Sequence, residues 1–150
     1  MLLRTAHRRR LLAPLLTAGA LALVAASSAA ASSKLKLPAE RTSPTGNFFT
    51  LEAYGPPSSS RPDAEFQMKV CTSSHTPAGT AIEPSLFTLK LTDGAVVPES
   101  ISAARSPAMV ATPLAKLQCT EGWLGFAVPK SRSASTLEYE YNGQISWNVG

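Results

Sequence analysis

A chain of 150 residues with 14 Lys and Arg, 10 Asp and Glu, two Cys and two His has room for one domain with a real core and not for two of ordinary size. Its formal charge of +4 belongs to the N-terminus: Arg4, Arg8, Arg9 and Arg10 all precede residue 32, and from there on 10 basic residues face 10 acidic ones. The electrostatic case for nucleic acid or an anionic membrane disappears with that segment; with both cysteines expected to be oxidised and His75 the one histidine beyond it, the inventory falls short of the three or four ligands of a zinc centre.

Residues 1–31 read as a secretory signal peptide. The four arginines form a basic n-region, Leu11 to Ala26 an apolar h-region, and small residues follow. Cleavage is expected after Ala31, with Ala30 or Ala26 as alternatives. The apolar run is shorter than the roughly 20 residues needed to cross a bilayer and is interrupted by Pro14 and Gly19, which argues against a retained anchor. Arg8-Arg9-Arg10 followed by Leu11-Leu12 also fits a loose twin-arginine signal, so the export route stays open. The mature chain is then secreted or wall-associated, with no membrane segment.

Residues 32–46, "SSKLKLPAERTSPTG", lack a sustained apolar period and read as a linker or loosely held N-terminal arm, with the domain proper at 47–150. Phe48 to Tyr54 is the first strand, stopped by "GPPSSSRPD". In Ala64 to Thr72, Ala64, Phe66, Met68 and Val70 share one face while Glu65, Gln67 and Lys69 share the other, which is expected to be wet. Leu86 to Leu91 turns Phe87, Leu89 and Leu91 inward, and Asp93-Gly94 supplies a turn toward Val96 and Val97. Pro98 to Pro113 is weakly patterned and reads as the segment best suited to disorder or function.

In "CTEGWLGFAVP", Leu124, Phe126 and Val128 alternate with Trp123, Gly125 and Ala127 until Pro129 stops the pairing. Leu137, Tyr139 and Tyr141, the Asn142-Gly143 turn, then Ile145, Trp147 and Val149 make a hairpin signal. Seven or so short strands with regular turns predict an all-β, antiparallel two-sheet sandwich.

Cys71 and Cys119 survive processing in a chain bound for an oxidising compartment, so they form the one available internal disulfide. Closing that loop of roughly 50 residues stabilises the fold by about 4 kcal/mol on the chain-entropy model. Cys71 has the opposite parity to Phe66, Met68 and Val70. Either a bulge over 70–72 re-aims its sulfur inward, or the bridge clips a strand end to the loop before Trp123; the clip is preferred.

Four segments in order, "FQMKVCTSS", "PSLFTLKLTDG", "CTEGWLGFAVP" and "LEYEYNGQISWNV", resemble secreted immunoglobulin-like domains of unknown function found in Actinobacteria, the family of the mycobacterial immunoprotective extracellular antigen. The resemblance spans about residues 48–149. It implies an antiparallel immunoglobulin-like sandwich, secreted or held at the cell wall, with no catalytic residues to carry over. The chain departs from the pattern at Cys71-Thr72-Ser73-Ser74, where an Asn-containing turn is more usual, and over 98–113.

Candidate chemistry is sparse. His75 in "TSSHTPAG" lacks a G-x-S-x-G elbow to serve. Glu138 and Glu140 share a strand face, as paired carboxylates of a glycosidase would, but read as a solvated face. No cofactor motif occurs. Trp123 and Tyr54 are the candidate partner contacts; Trp123 is weighed against packing in the space left by Gly122 and Gly125, and Trp147 is read as core. The expected function is a non-enzymatic module binding a protein or cell-envelope ligand. The alternatives are a small extracellular hydrolase and a self-associating envelope protein.

Overall fold

The computed structural model describes residues 35–58 and 61–150; the segment read as a signal peptide lies outside them. The described residues form ten strands, each antiparallel to its ladder partners: β1 (Ala39–Thr42), β2 (Phe48–Gly55), β3 (Asp63–Cys71), β4 (Thr80–Ile82), β5 (Phe87–Leu91), β6 (Val96–Pro98), β7 (Thr112–Leu114), β8 (Cys119–Ala127), β9 (Ala134–Glu140) and β10 (Gln144–Asn148). The first sheet has the order β1-β2-β3-β8 and the second β10-β9-β5-β6, while β4 and β7 form a separate two-stranded ladder. The chain crosses from the first sheet to the second between β3 and β5 by way of β4, returns between β6 and β8 by way of β7, and crosses again after β8. That interlocked connection makes the domain an immunoglobulin-like β-sandwich.

Period-two sequence explains the layering. Phe66, Met68 and Val70 of β3 and Leu124 and Phe126 of β8 are fully buried on one side, and Phe87, Leu89, Leu137, Tyr139 and Trp147 meet them from the second sheet. Phe49 of β2 carries contact across the layers, its ring 4.6 Å from Tyr139 and 6.3 Å from Phe87. The β9–β10 hairpin forms where expected. Its loop takes positive φ at Asn142 (52°) and Gly143 (126°), the backbone that Asn-Gly accepts at little steric cost.

Two expectations change. The segment read as a loose arm contributes β1, which pairs along β2 from Ala39↔Leu51 to Thr42↔Phe48. It also laces the first sheet to the second: the Trp147 indole N–H donates to the Ala39 carbonyl at 3.0 Å, and the Arg41 guanidinium donates to the Ser146 carbonyl at 3.1 Å. "AERT" carries no apolar period because only Ala39 turns inward. Its order comes from the β2 ladder beside it and from partners in β10 about a hundred residues away. Second, the segment over 98–113 is an ordered strap containing a 3₁₀ turn at Ile101–Ala103 and strand β7.

A buried polar cluster ties the loops after β1 and β3 together. The Thr76 hydroxyl donates to Asn47 Oδ1 at 2.5 Å, the Ser73 amide donates to Thr76 Oγ1 at 2.9 Å, and the Asn47 amide donates to Ser43 Oγ at 3.1 Å. Thr76, Asn47 and Ser43 are all buried, and their mutual bonds meet the desolvation that burial imposes.

Burial pushes the Tyr139 phenol up from 10 to about 12, with lesser contributions from the nearby charges of Tyr141 and Glu83. The sign follows directly: between those values the unfolded chain gives up a proton that the folded chain keeps, so stability is intact below pH 10 and falls as pH rises toward 12. Tyr139→Phe should remove a part of that alkaline loss on the order of 1 kcal/mol per pH unit. Urea unfolding midpoints of the two proteins, compared at pH 9 and pH 11, check it.

Candidate functional site

The outward face of β3 and β8 is where sequence parity and tertiary structure part company. Their register is continuous from Asp63↔Ala127 to Cys71↔Cys119, so the outward side chains fall into cross-strand rows: Glu65 beside Gly125, Gln67 beside Trp123, Lys69 beside Glu121, and Cys71 beside Cys119. A row of charges on an outer sheet face is ordinarily solvated. Here Glu65 is only 7% exposed.

The strap is what covers it. Its backbone bonds to the edge of β8 not used by β3: the Ser100 amide donates to the Gly125 carbonyl at 2.8 Å, the Trp123 amide donates to the Pro107 carbonyl at 2.9 Å, and the Met109 amide donates to the Trp123 carbonyl at 2.8 Å. An exposed strand edge is thereby satisfied within the chain. The approach is close enough to demand glycine. A Cβ on Gly125 would stand 2.2 Å from the Ala103 carbonyl carbon and the Ala104 nitrogen, and one on Gly122 would stand 2.6 Å from Met109 Cα. The space beside Trp123 that the sequence leaves for the indole is therefore filled by strap backbone, and Met109 descends into the core at 1% exposure.

From the strap, Arg105 reaches back over the sheet. Its Nε donates to Glu65 Oε2 at 2.7 Å, and its guanidinium carbon lies 4.7 Å from the centroid of the Trp123 ring. Arg61 approaches the same Glu65 oxygen at 3.4 Å. A carboxylate taken out of water is tolerated because two guanidiniums compensate it, while the planar Arg105 cation gains further attraction from the indole face. Gln67 Nε2 donates to Glu121 Oε1 at 2.6 Å in the neighbouring row. The result is a half-buried tryptophan under an arginine whose orientation is fixed at both ends.

The predicted residues distribute unevenly around this cluster. Trp123 is in it, packed by Arg105. The disulfide is not beneath the indole; the Lys69–Glu121 row separates them. Tyr54 lies on the opposite face of the sheet, because a bulge between Leu51 and Ala53 reverses the parity of β2 and sets Tyr54 against Phe66, rings stacked at 4.7 Å and 6°. Burial there raises its phenol above the usual 10. Trp123 and Tyr54 thus do not form one site. Cys71 and Cys119 are bonded as directly opposed residues at the end of an unbroken ladder. The clip is the observed arrangement and the inward bulge is not, although Cys119 opens β8 instead of lying in a loop.

The residues weighed for hydrolysis sit apart from the cluster. The His75 ring is exposed on the loop after β3, with the Ser74 hydroxyl 3.4 Å from Nδ1. Glu138 pairs with Lys90 at 2.7 Å, and Glu140 is exposed at the hairpin end of β9. Among the described residues no group of three His, Cys, Asp or Glu is placed to hold a metal, and no helix is long and apolar enough to cross a membrane. An open cleft of about 650 Å³ lies at one end of the sandwich, bounded by Pro57, Pro62 and the 128–132 loop.

Comparison with protein-family models, with curated protein sequences and with solved structures finds no match to this chain. The cluster therefore has to be judged on its own geometry. Arg105 and Glu65, the residues sequence reasoning missed, stand 40 positions apart, and the one available signal was a glutamate alternating with apolar neighbours opposite a glycine.

Replacing Gly125 by Ala should push the strap off β8, break the Ser100–Gly125 bond and release Arg105 from Trp123. The expected destabilisation is about 2–3 kcal/mol, as for other overpacked sites. It is read by denaturant unfolding, together with a change in tryptophan emission under native conditions.

Proposed function

We propose that the mature chain is a secreted, non-enzymatic immunoglobulin-like module that binds a protein or cell-envelope component, and that the outer face of the first sheet around Trp123 and Arg105 is its contact surface. The observation that carries this reading is the cluster itself: a half-buried indole and a guanidinium bonded to a buried carboxylate. Trp and Arg are the side chains that contribute most where one protein surface meets another. Fixing them beforehand lowers the ordering entropy that binding would otherwise have to overcome.

Export is supported by the basic and apolar N-terminal segment and by a formed disulfide, the usual state of cysteines outside the cytosol. The order of the four strand segments supports kinship with the secreted actinobacterial domains they resemble. Folds of this class host many activities, so the surface and not the fold carries the argument.

Affinity capture tests the proposal. Residues 32–150, immobilised and exposed to culture fluid and to solubilised envelope, should retain a species that Trp123→Ala loses and that a variant combining His75→Gln, Glu138→Gln and Glu140→Gln keeps. An identical profile for wild type and Trp123→Ala would refute the surface. Retention of nothing but the chain's own copies, accompanied by a concentration-dependent sedimentation rate, would replace an external partner by self-association.

A further inference from the structure

The disulfide of an antibody-type domain runs between the sheets and is sealed in the core. Here it joins neighbouring strands of one sheet and lies on the outward face. Cys71 and Cys119 are directly paired in the β3–β8 ladder with Cα atoms 4.0 Å apart. Cys71 is half-buried and Cys119 exposed. No core contact depends on the bridge: the same two strands are held by eight further register pairs, from Asp63↔Ala127 to Val70↔Thr120, and by Phe66, Met68, Val70, Leu124 and Phe126 on the inner face. Next to the bridge, the Thr72 amide donates to the Gln118 carbonyl at 2.8 Å and the Gln118 amide donates to Thr72 Oγ1 at 3.0 Å. These bonds keep the strand ends together whether or not the sulfurs are joined.

We infer that the Cys71–Cys119 bridge is a thiol–disulfide exchange site of the folded protein, opened by a low-molecular-weight thiol that attacks the Cys119 sulfur. Exchange requires the incoming thiolate to approach along the S–S axis, so access at each end of the bond decides which sulfur is attacked. On the side of Cys71 away from Cys119 stands β2, where Phe48 is directly opposite Cys71 in the ladder and is 42% exposed on the same outward face. Beyond Cys119 lies the other edge of β8, whose backbone bonds to the strap fall farther along at Trp123 and Gly125, and Cys119 itself is exposed. The open end of the bond is at Cys119.

The chemistry balances without an external oxidant or reductant other than the thiol. A thiolate forms a new S–S bond to Cys119 Sγ as the Cys71–Cys119 bond breaks, and the electron pair leaves on Cys71 Sγ, which takes a proton from water. A second thiol attacking the adduct releases the mixed product as a symmetric small disulfide and leaves both cysteines reduced. Alternatively, Cys71 thiolate returns to Cys119 and restores the bridge.

Reduced glutathione is the probe, applied to the oxidised mature protein at mildly alkaline pH with alkylation to trap free thiols. Peptide mapping should find glutathione on Cys119 and the alkyl group on Cys71, with far-ultraviolet circular dichroism and tryptophan emission unchanged. The exchange rate should stay within about twofold as urea is raised below the unfolding transition, since attack on a closed native state does not track global stability. A rate climbing steeply with urea would show that the bridge opens only through unfolding and would overturn the inference, as would an even division of the adduct between the two cysteines. Phe48→Ala, at an exposed position, should shift part of the adduct to Cys71; an adduct still confined to Cys119 would refute the screening role of the ring.

Discussion

Two sheets, each apolar on one side, have to be pressed together along those sides, and the Phe49 ring lies where that pressure is transmitted. It belongs to β2 of the first sheet yet rests 4.6 Å from Tyr139 of the second, with Phe87 beside both rings. Offset and tilted aromatic contacts of this kind add to the gain from burying apolar area. Everything on the outer faces inherits its position from this contact, because once the inner sides are fixed by alternation the remaining side chains of β3 and β8 can only point outward.

The outer face of the first sheet would be an unremarkable polar row but for a constraint at the edge of β8. An unpaired edge has to be satisfied or protected, and the chain does so by running its own strap along it. The strap approaches so closely that Gly122 and Gly125 tolerate no Cβ. The consequence is chemical as well as structural: Arg105 is delivered onto Trp123 and Glu65, turning a solvated face into a rigid, partly desolvated one.

The location of the disulfide follows from the same layering. With Phe66, Met68 and Val70 committed to the core, Cys71 has to face outward, and its partner is the residue directly across the ladder. Its stabilising effect comes from closing a long loop in the unfolded chain, while native packing is left to the side chains beneath. Stability and accessibility of the bridge are therefore separable properties in this fold.

Alternation alone determined that β3, β8 and the β9–β10 hairpin exist, which of their faces is buried and that Trp147 is core. These are properties of neighbouring residues on one strand, and a period of two is written locally. For Cys71 it left an inward bulge and an outward clip open, and the unbroken β3–β8 register decided for the outward direction. Only the tertiary structure decided that "AERT" is a strand, since its order depends on pairing with β2 and on the Ala39 carbonyl meeting Trp147. It also decided that Tyr54 faces inward, since one extra residue in a bulge reverses parity without altering composition, and that Arg105 crosses onto Glu65. The physical reason is common to all three: each rests on which distant backbone passes alongside, and a local hydrophobic pattern holds no record of that.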